Sequence, residues 1–176
     1  MENNPIYDRN TIEFVTVAVE FCTLMETPST LTAFVDKAVK ILPLLYVKAT
    51  LLPDIEADDD FFPENYITEE TYEALRRRTA GMMGEHDAYL DTFHGDMSYS
   101  DTPVVSTISE SLTDVYQDIG NFAASFREGS EQVMAQTLAL CKENFRLHWG
   151  QNLLNALKAL HALQYGGELT GNKDGL

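Results

Sequence analysis

Residues 81–102, GMMGEHDAYLDTFHGDMSYSDT, bring together side chains that could bind a ligand. The stretch holds two of the chain's four histidines among several carboxylates and tyrosines. Imidazole and carboxylate groups together can ligate a metal or move a proton, and loops held by a rigid scaffold concentrate such groups. Short acidic side chains in loops also serve in turns and helix caps, which is the alternative for Asp96 and Asp101. The predicted binding residues are His86, Asp91, His94, Asp96, Tyr99 and Asp101.

A second group of carboxylates comprises Glu69, Glu70 and Glu73 in the sequence EETYE. An E-E-x-x-E cluster on a helix is similar to the magnesium-binding motif of the all-α nucleoside triphosphate pyrophosphatases. That family also requires E-x-x-D on a following helix, and here Glu85 is followed three residues later by Ala88. Hard cations need several oxygen ligands, so the three glutamates are metal-ligand candidates with an incomplete set. The alternative is that they stabilise a helix N-terminus, where carboxylates favour the helix dipole.

Two further charged groups are predicted to have structural roles. Glu110, Asp114 and Asp118 recur at intervals of four residues in a helical pattern. Glu110 and Asp114 lie opposite the apolar stripe on a helical wheel and Asp118 lies near its edge, so a solvent-exposed face is the favoured interpretation. Arg76–Arg78 point in different directions around a helix and therefore cannot form one anion site; they are expected to pair with nearby acids.

Five or six helices should position these residues, as an all-α, single-domain antiparallel bundle. Apolar periodicity and capping residues place the first four at about Asn10–Met25, Leu31–Leu52, Thr68–Ala80 and Pro103–Arg127. The predicted N-caps are Asn10, Thr68 and Thr102, and Ser130 for the long helical pattern that follows. Between the second and third, residues 54–67 predict a solvated loop with Phe61 and Phe62 packed beneath the bundle. Residues 85–93 fit either a short extended segment or a helical turn.

The longest helical pattern covers Ser130–Tyr165, a stretch without proline and with one glycine, Gly150. One straight helix of this length would span about 54 Å, whereas a compact chain of this size is only about 40 Å across. The sequence therefore predicts a bend or break, most naturally at Gly150. Residues 1–165 are predicted to form one domain, followed by a flexible tail at 166–176.

The chain is strongly acidic, with 28 Asp and Glu against 12 Lys and Arg and a formal net charge of −16. Such a surface repels phosphate groups, which disfavours nucleic acid and anionic membranes as partners. No segment approaches the roughly 18 consecutive apolar residues of a membrane span. The N-terminus MENNPIYDRN lacks the order of a signal peptide, and Cys22 and Cys141 lie in apolar runs as buried free thiols would. These features predict a cytoplasmic protein.

Three blocks of sequence are FVDKAVKILPLLYVKATLLP, YSDTPVVSTISESLTDVYQDI and WGQNLLNALKALHAL. Together they resemble a family of uncharacterised bacterial all-helical proteins, one of the domains of unknown function. The resemblance extends from Phe14 to about Leu163. The resemblance implies a single bacterial cytosolic domain. It implies no activity, no cofactor and no catalytic residue.

Three functions remain open from the sequence. A complete bundle pattern without a complete catalytic motif favours a non-catalytic protein that acts by binding a protein partner or a small ligand. The alternative is a divalent-metal-dependent hydrolase of phosphorylated small molecules that uses the carboxylates described above. An interaction through the acidic surface, with a cation or a basic partner, is a third possibility.

Overall fold

This computed structural model describes residues 3–91 and 104–169, which contain six α-helices and a short β-hairpin. The helices are α1 (Arg9–Glu26), α2 (Leu31–Thr50), α3 (Glu69–Met83), α4 (Ile108–Glu128), α5 (Glu131–Asn144) and α6 (Gly150–Tyr165). The hairpin strands are β1 (Ala88–Asp91) and β2 (Val104–Thr107). The predicted single-domain, mostly helical bundle is confirmed, and the hairpin is an addition to it.

Most helices begin directly after a residue whose side chain caps the first turn. Thr30, Thr68 and Ser130 each accept a hydrogen bond from a backbone N–H in the first turn of α2, α3 and α5, as the sequence predicted for the last two. The first helix begins earlier than predicted, because the Asp8 side chain accepts from the Asn10 N–H. The structure caps α1 through Asp8, so the predicted cap at Asn10 was wrong.

The fourth helix begins later than predicted. Its predicted start, Thr102–Pro103, lies outside the described residues, but residues 104–107 form β2 rather than the first turn of a helix. Residues 104–107 are Val-Val-Ser-Thr, a β-branched run that suits a strand. They pair with β1 in an antiparallel register in which Leu90 faces Val105. Of the two alternatives for residues 85–93, the extended segment is therefore the one observed at 88–91.

The core lies between α1, α2, α4 and the long C-terminal helix. The largest fully buried side chains include Phe14 and Phe21 of α1, Leu42 and Leu45 of α2, Leu112 and Ile119 of α4, and Trp149 and Leu153 of the C-terminal helix. Phe14 packs against both Phe122 and Trp149, with ring centroids 5.3 Å and 6.4 Å away. These contacts hold the face of α4 that carries the apolar stripe against the bundle.

The long C-terminal element is interrupted where the sequence predicted. Phe145–Trp149 is a π-helical segment joining α5 to α6, and the Gly150 N–H donates to the Phe145 carbonyl five residues earlier. A Cβ at position 150 would lie 2.6 Å from that oxygen and 2.8 Å from the Phe145 ring, which explains why a glycine stands there. The Trp149 indole N–H donates to the Cys141 carbonyl at 3.0 Å and fixes the segment in the core.

Residues 166–169 follow α6 and retain contacts with the bundle. The His86 Nδ1 lies 3.2 Å from Glu168 Oε2, and Leu169 packs against the core. Residues 170–176 lie outside the described residues, so the flexible tail remains a prediction.

Candidate functional site

Two polar clefts lie along one face of α4. The first, the hairpin cleft, has a volume of about 250 Å³ and lies between the β-hairpin, the first half of α4 and α6. Its lining comprises Tyr89, Asp91, Val104, Val105, Ser106, Thr107, Glu110, Ser111, Asp114, Asn152 and Asn155. The second, the loop cleft, has a volume of about 230 Å³ and lies between residues 63–65, the second half of α4 and α5. Its lining comprises Pro63, Glu64, Asn65, Asp118, Asn121, Phe122, Ser125, Thr137, Leu140, Cys141 and Asn144.

The hairpin is fixed to the start of α4 by one aspartate. Asp87 accepts hydrogen bonds from the Ser109 N–H at 2.8 Å and from the Ser109 hydroxyl at 2.6 Å. Its own carbonyl accepts from the Ile108 N–H at 2.8 Å. Thr107 adds the N-cap by accepting from the Glu110 N–H at 3.3 Å. Because these bonds join strand to helix, the polar side chains of β1 and of the first turns of α4 face one another.

Hydroxyl and carboxylate groups line the hairpin side of this cleft. The Tyr89 hydroxyl and Ser111 Oγ are 2.7 Å apart. Asp91 is only 6% exposed, and the Ser106 hydroxyl donates to its Oδ2 at 3.4 Å. Burial raises the pKa of the Tyr89 phenol, while its hydrogen bond with Ser111 opposes that change. On the opposite side, α6 contributes the amides of Asn152 and Asn155.

Asp114 is the half-buried carboxylate on the α4 side of the hairpin cleft. The Tyr72 hydroxyl of α3 donates to Asp114 Oδ1 at 2.6 Å. Burial raises the pKa of Asp114, and this hydrogen bond opposes the shift without cancelling it. Burial, followed by the hydrogen bond to Asp114, raises the pKa of Tyr72 as well. In this pair the phenol donates to the carboxylate, and burial favours the protonated form of each group.

Asp118, one turn further along α4, has the same role in the loop cleft. Asn144 Nδ2 of α5 donates to Asp118 Oδ1 at 3.1 Å. Burial raises the pKa of Asp118, while Asn144 and the nearby His148 oppose that shift and Asp114 adds to it. The adjoining Cys141 thiol is buried, and burial raises its pKa well above the ordinary value. A thiol that resists ionisation is a poor nucleophile, so Cys141 serves as a packing residue.

Both clefts carry a negative charge. Asp91, Glu110 and Asp114 line the hairpin cleft, and Glu64 and Asp118 line the loop cleft. Among the described residues that line either cleft there is no lysine, arginine or histidine. With a net charge of −16 around them, both clefts attract cations and repel anions.

The predicted binding residues are distributed between the hairpin cleft and other places. Asp91 lines the cleft. His86 lies outside its lining, with its ring nitrogens 3.2 Å from Glu168 and 3.8 Å from Glu85. The other four candidates, His94, Asp96, Tyr99 and Asp101, lie outside the described residues.

The predicted metal ligands lie on the first turns of α3, away from both clefts. Glu69 and Glu70 are exposed, and Glu73 forms ion pairs with Arg76 at 3.0 Å and with Arg77 at 3.7 Å. The expected pairing of the arginines is thus observed for these two, while Arg78 donates to the Met25 carbonyl. Within residues 3–91 and 104–169, no group of three or more His, Cys, Asp or Glu side chains is arranged to hold a metal ion.

Several residues of the clefts were missed by the sequence analysis. The exposed face expected for Asp114 was wrong, because α3 covers that part of α4. Asp118, predicted near the edge of the apolar stripe, is half-buried against α5. The signal that could have found both lies on α5 and α6, where asparagines recur at Asn144, Asn152 and Asn155. His148 and His161 are both exposed.

The fold and the clefts define a mostly helical, single-domain protein with two acidic polar clefts along one helix. The chain belongs to the family DUF5063, a domain of unknown function, whose model matches residues 5–166. It is similar to the protein BF1032 from Bacteroides fragilis, whose crystal structure aligns with a TM-score of 0.81 and 43% sequence identity. That alignment covers 98% of this chain and 99% of the other. No curated protein matches the chain.

These comparisons confirm the resemblance seen in the sequence, to an uncharacterised bacterial family of helical proteins. They assign no activity to the chain. Among the described residues, no helix combines the length and apolar character that crossing a membrane requires.

Proposed function

We propose that this protein is a non-catalytic binding protein whose hairpin cleft holds a small, positively charged organic molecule, such as an aliphatic amine. The observation that carries the proposal is the composition of the cleft. Its lining combines three carboxylates, Asp91, Glu110 and Asp114, with two amides and several hydroxyls, and with no basic side chain among the described residues.

The donors and acceptors in the cleft match such a ligand. An ammonium group has only N–H donors, and a carboxylate has only acceptors, so Asp91 and Glu110 can each accept from it. Asn152 and Asn155 offer both a donor and an acceptor, which suits a polar group further along the molecule. The volume of about 250 Å³ is just below the usual range for small-ligand sites and therefore favours a small molecule.

The surroundings of the cleft support the same class of ligand. The net charge of −16 raises the local concentration of cations and lowers that of phosphates. We therefore propose that neither nucleic acid nor an anionic membrane is a partner, and we place the protein in the cytoplasm.

The proposal can be tested by isothermal titration calorimetry with 1,4-diaminobutane and with 1,4-butanediol, which has the same length but no charge. We expect the diamine to bind and the diol not to bind. Asp91→Asn should weaken diamine binding about tenfold or more, because a charged acceptor contributes more than a neutral one.

Asp118→Asn is the matched control, since it removes the same charge from a half-buried aspartate of the other cleft. It should change the diamine affinity less than threefold. Equal binding of the diol, equal loss in the two variants, or no binding of a series of mono-, di- and triamines would each overturn the proposal.

A further inference from the structure

Residues 51–68, between α2 and α3, are the longest connection among the described residues, and they contain neither helix nor strand. Connections longer than about 12–15 residues are uncommon in compact domains and often have a function. Their sequence is LLPDIEADDDFFPENYIT, which contains six Asp and Glu and no Lys, Arg or His. This segment, called the acidic loop, contributes Pro63, Glu64 and Asn65 to the lining of the loop cleft.

Side chains of α4 and α5 fix the acidic loop at both ends. Asn121 Oδ1 accepts hydrogen bonds from the Tyr66 and Ile67 N–H groups at 2.7 Å and 2.8 Å. Near the other end, Lys142 Nζ donates to the Leu52 carbonyl at 2.9 Å. Leu52 and Ile67 are themselves buried in the core. A loop held at both ends needs little further ordering when it binds a partner.

The middle of the acidic loop is attached to α5. Gln136 Oε1 accepts from the Asp58 N–H at 2.7 Å, and Gln136 Nε2 donates to the Glu56 carbonyl at 3.0 Å. The Asp58 side chain in turn accepts from the Asp60 N–H at 3.0 Å. The backbone of the acidic loop is thus hydrogen-bonded to α5, while the carboxylates of the loop are exposed to solvent.

Those carboxylates have few cationic partners within the molecule. Asp54 pairs with Lys142 at 2.5 Å. Among the described residues, none of the other five acids of the loop forms an ion pair, namely Glu56, Asp58, Asp59, Asp60 and Glu64. Their charge is therefore available to an external cationic partner.

Phe62 stands in the middle of this acidic surface with 86% of its area exposed. Both loop phenylalanines were predicted to pack beneath the bundle. The prediction was wrong for Phe62, whereas Phe61 is partly covered. Phe62 directly precedes the three loop residues that line the loop cleft. The cleft also has an apolar part, formed by Phe122, Leu140 and Cys141.

We infer that the acidic loop and the loop cleft form a docking surface for a basic segment of another protein that carries a large apolar side chain. Lysine and arginine side chains of the partner would pair with the loop carboxylates. The apolar side chain would enter the cleft against Leu140 and Phe122, next to Phe62. An exposed aromatic residue beside a pocket is the usual centre of binding energy in such interfaces. This inference does not depend on the ligand proposed for the hairpin cleft.

The test uses the full chain and fluorescence anisotropy with a labelled peptide made of alternating lysine and leucine pairs. Two control peptides replace lysine by glutamate or leucine by serine. We expect the lysine–leucine peptide to bind and both control peptides to bind at least tenfold more weakly. Its affinity should fall at least tenfold when the salt concentration is raised from about 0.05 M to 0.5 M, since surface charges are then screened.

Phe62→Ser should weaken binding at least tenfold, because it removes the apolar contact from a site that is already exposed and so leaves the fold intact. Leu147→Ser is the matched control, since Leu147 is also exposed but does not line the loop cleft. It should leave the affinity within twofold.

A second pair of variants separates the loop from the overall charge. The triple variant Asp58→Asn, Asp59→Asn, Asp60→Asn should weaken binding at least tenfold. Glu20→Gln, Glu70→Gln, Glu85→Gln removes the same charge from exposed acids elsewhere and should have less than a threefold effect. Equal losses in the two triple variants, an unchanged affinity of Phe62→Ser, or self-association of the chain that depends on Phe62 would overturn the inference.

Discussion

The hairpin cleft and the loop cleft share one face of α4 but have different linings. Each has at its centre a half-buried aspartate, Asp114 or Asp118, whose pKa is raised by burial. In the hairpin cleft the donor to that aspartate is a phenol, and the remaining lining is almost entirely polar. In the loop cleft the donor is an amide, and half of the opposite wall is apolar.

This difference comes from what covers each half of α4. The first half faces the hairpin and the asparagines of α6, which supply hydrogen-bonding groups on all sides. The second half faces Leu140 and Cys141 of α5, and a loop that exposes Phe62 to solvent. The regularly spaced acids of α4 therefore line a polar cleft at one end of the helix and a partly apolar cleft at the other.

The change expected to affect both clefts most strongly is Gly150→Ala. A Cβ at this position would meet the Phe145 carbonyl and ring below 3.0 Å, so the π-helical segment between the two cleft walls must shift. We expect a loss of roughly 1–3 kcal/mol in the free energy of unfolding, as for other overpacked sites. Urea denaturation followed by circular dichroism would measure it.

Gly81→Ala is the control, because a Cβ there has no neighbour within 4 Å and the position lies inside α3. It should stabilise the protein by about 0.5–1 kcal/mol through the higher helix propensity of alanine. If both substitutions stabilise the protein, the π-helical segment is not constrained as described.

A smaller effect, confined to the loop cleft, is expected for Asn121→Ala. The variant leaves the Tyr66 and Ile67 N–H groups without their acceptor, which should cost about 1–2 kcal/mol. Amide hydrogen exchange should accelerate at these two residues, while diamine binding in the hairpin cleft should be unchanged.

Asn65→Ala removes only the contact between the two asparagine side chains and serves as the control for Asn121→Ala. It should have less than half the effect on stability. Faster exchange throughout β1 and β2 in Asn121→Ala would show that the clefts are not independent.

The smallest effect expected is on the pH dependence of stability, and its sign distinguishes the cleft aspartates from surface ones. The folded-state pKa of Asp114 is raised. The stability that Asp114 contributes to the fold is therefore fully present below its unfolded pKa of about 3.9 and is lost as pH rises through the folded pKa. Asp114→Asn, which can still accept from Tyr72, should therefore gain stability relative to wild type between about pH 4 and pH 7.

Asp36→Asn should do the opposite. Lys40 lowers the pKa of Asp36 by a hydrogen bond and by charge, so the stability it contributes is present above the unfolded pKa and is lost as pH falls through the folded value. Relative to wild type, this variant should lose stability as pH rises from about 2 to about 4, below the window for Asp114. Thermal unfolding curves from about pH 2 to pH 7 would measure both signs, and the same sign for both variants would contradict the assignment of Asp114 to a buried site.

The helices could be predicted from sequence because their signals are local. Thr68 and Ser130 cap the helices that they were predicted to cap, and Gly150 marked the interruption of the longest one. The clefts could not be predicted in this way. Whether Asp114 faces solvent or Tyr72 depends on how α3 lies against α4, and hydrophobic periodicity along one helix carries no information about that.

The second strand of the hairpin was also not predicted, although an extended segment was one of the two alternatives for residues 85–93. Residues 104–107 continue the apolar pattern of α4, so the pattern alone extended the helix to Pro103. In the structure, α4 begins only after Thr107. There Asp87, which is distant in sequence, accepts hydrogen bonds from the Ser109 N–H and hydroxyl. Of the predicted binding residues, Asp91 lines the hairpin cleft because it stands at the end of the strand that this contact holds in place.

The central claim is that the hairpin cleft, and not the loop cleft, holds a small organic cation. Its most direct test is a titration of the ¹⁵N-labelled protein with 1,4-diaminobutane, followed through the side-chain amide signals of the asparagines. The account predicts concentration-dependent shifts for Asn152 and Asn155 with little change for Asn121 and Asn144. Shifts confined to Asn121 and Asn144, or equal shifts at all four, would contradict it.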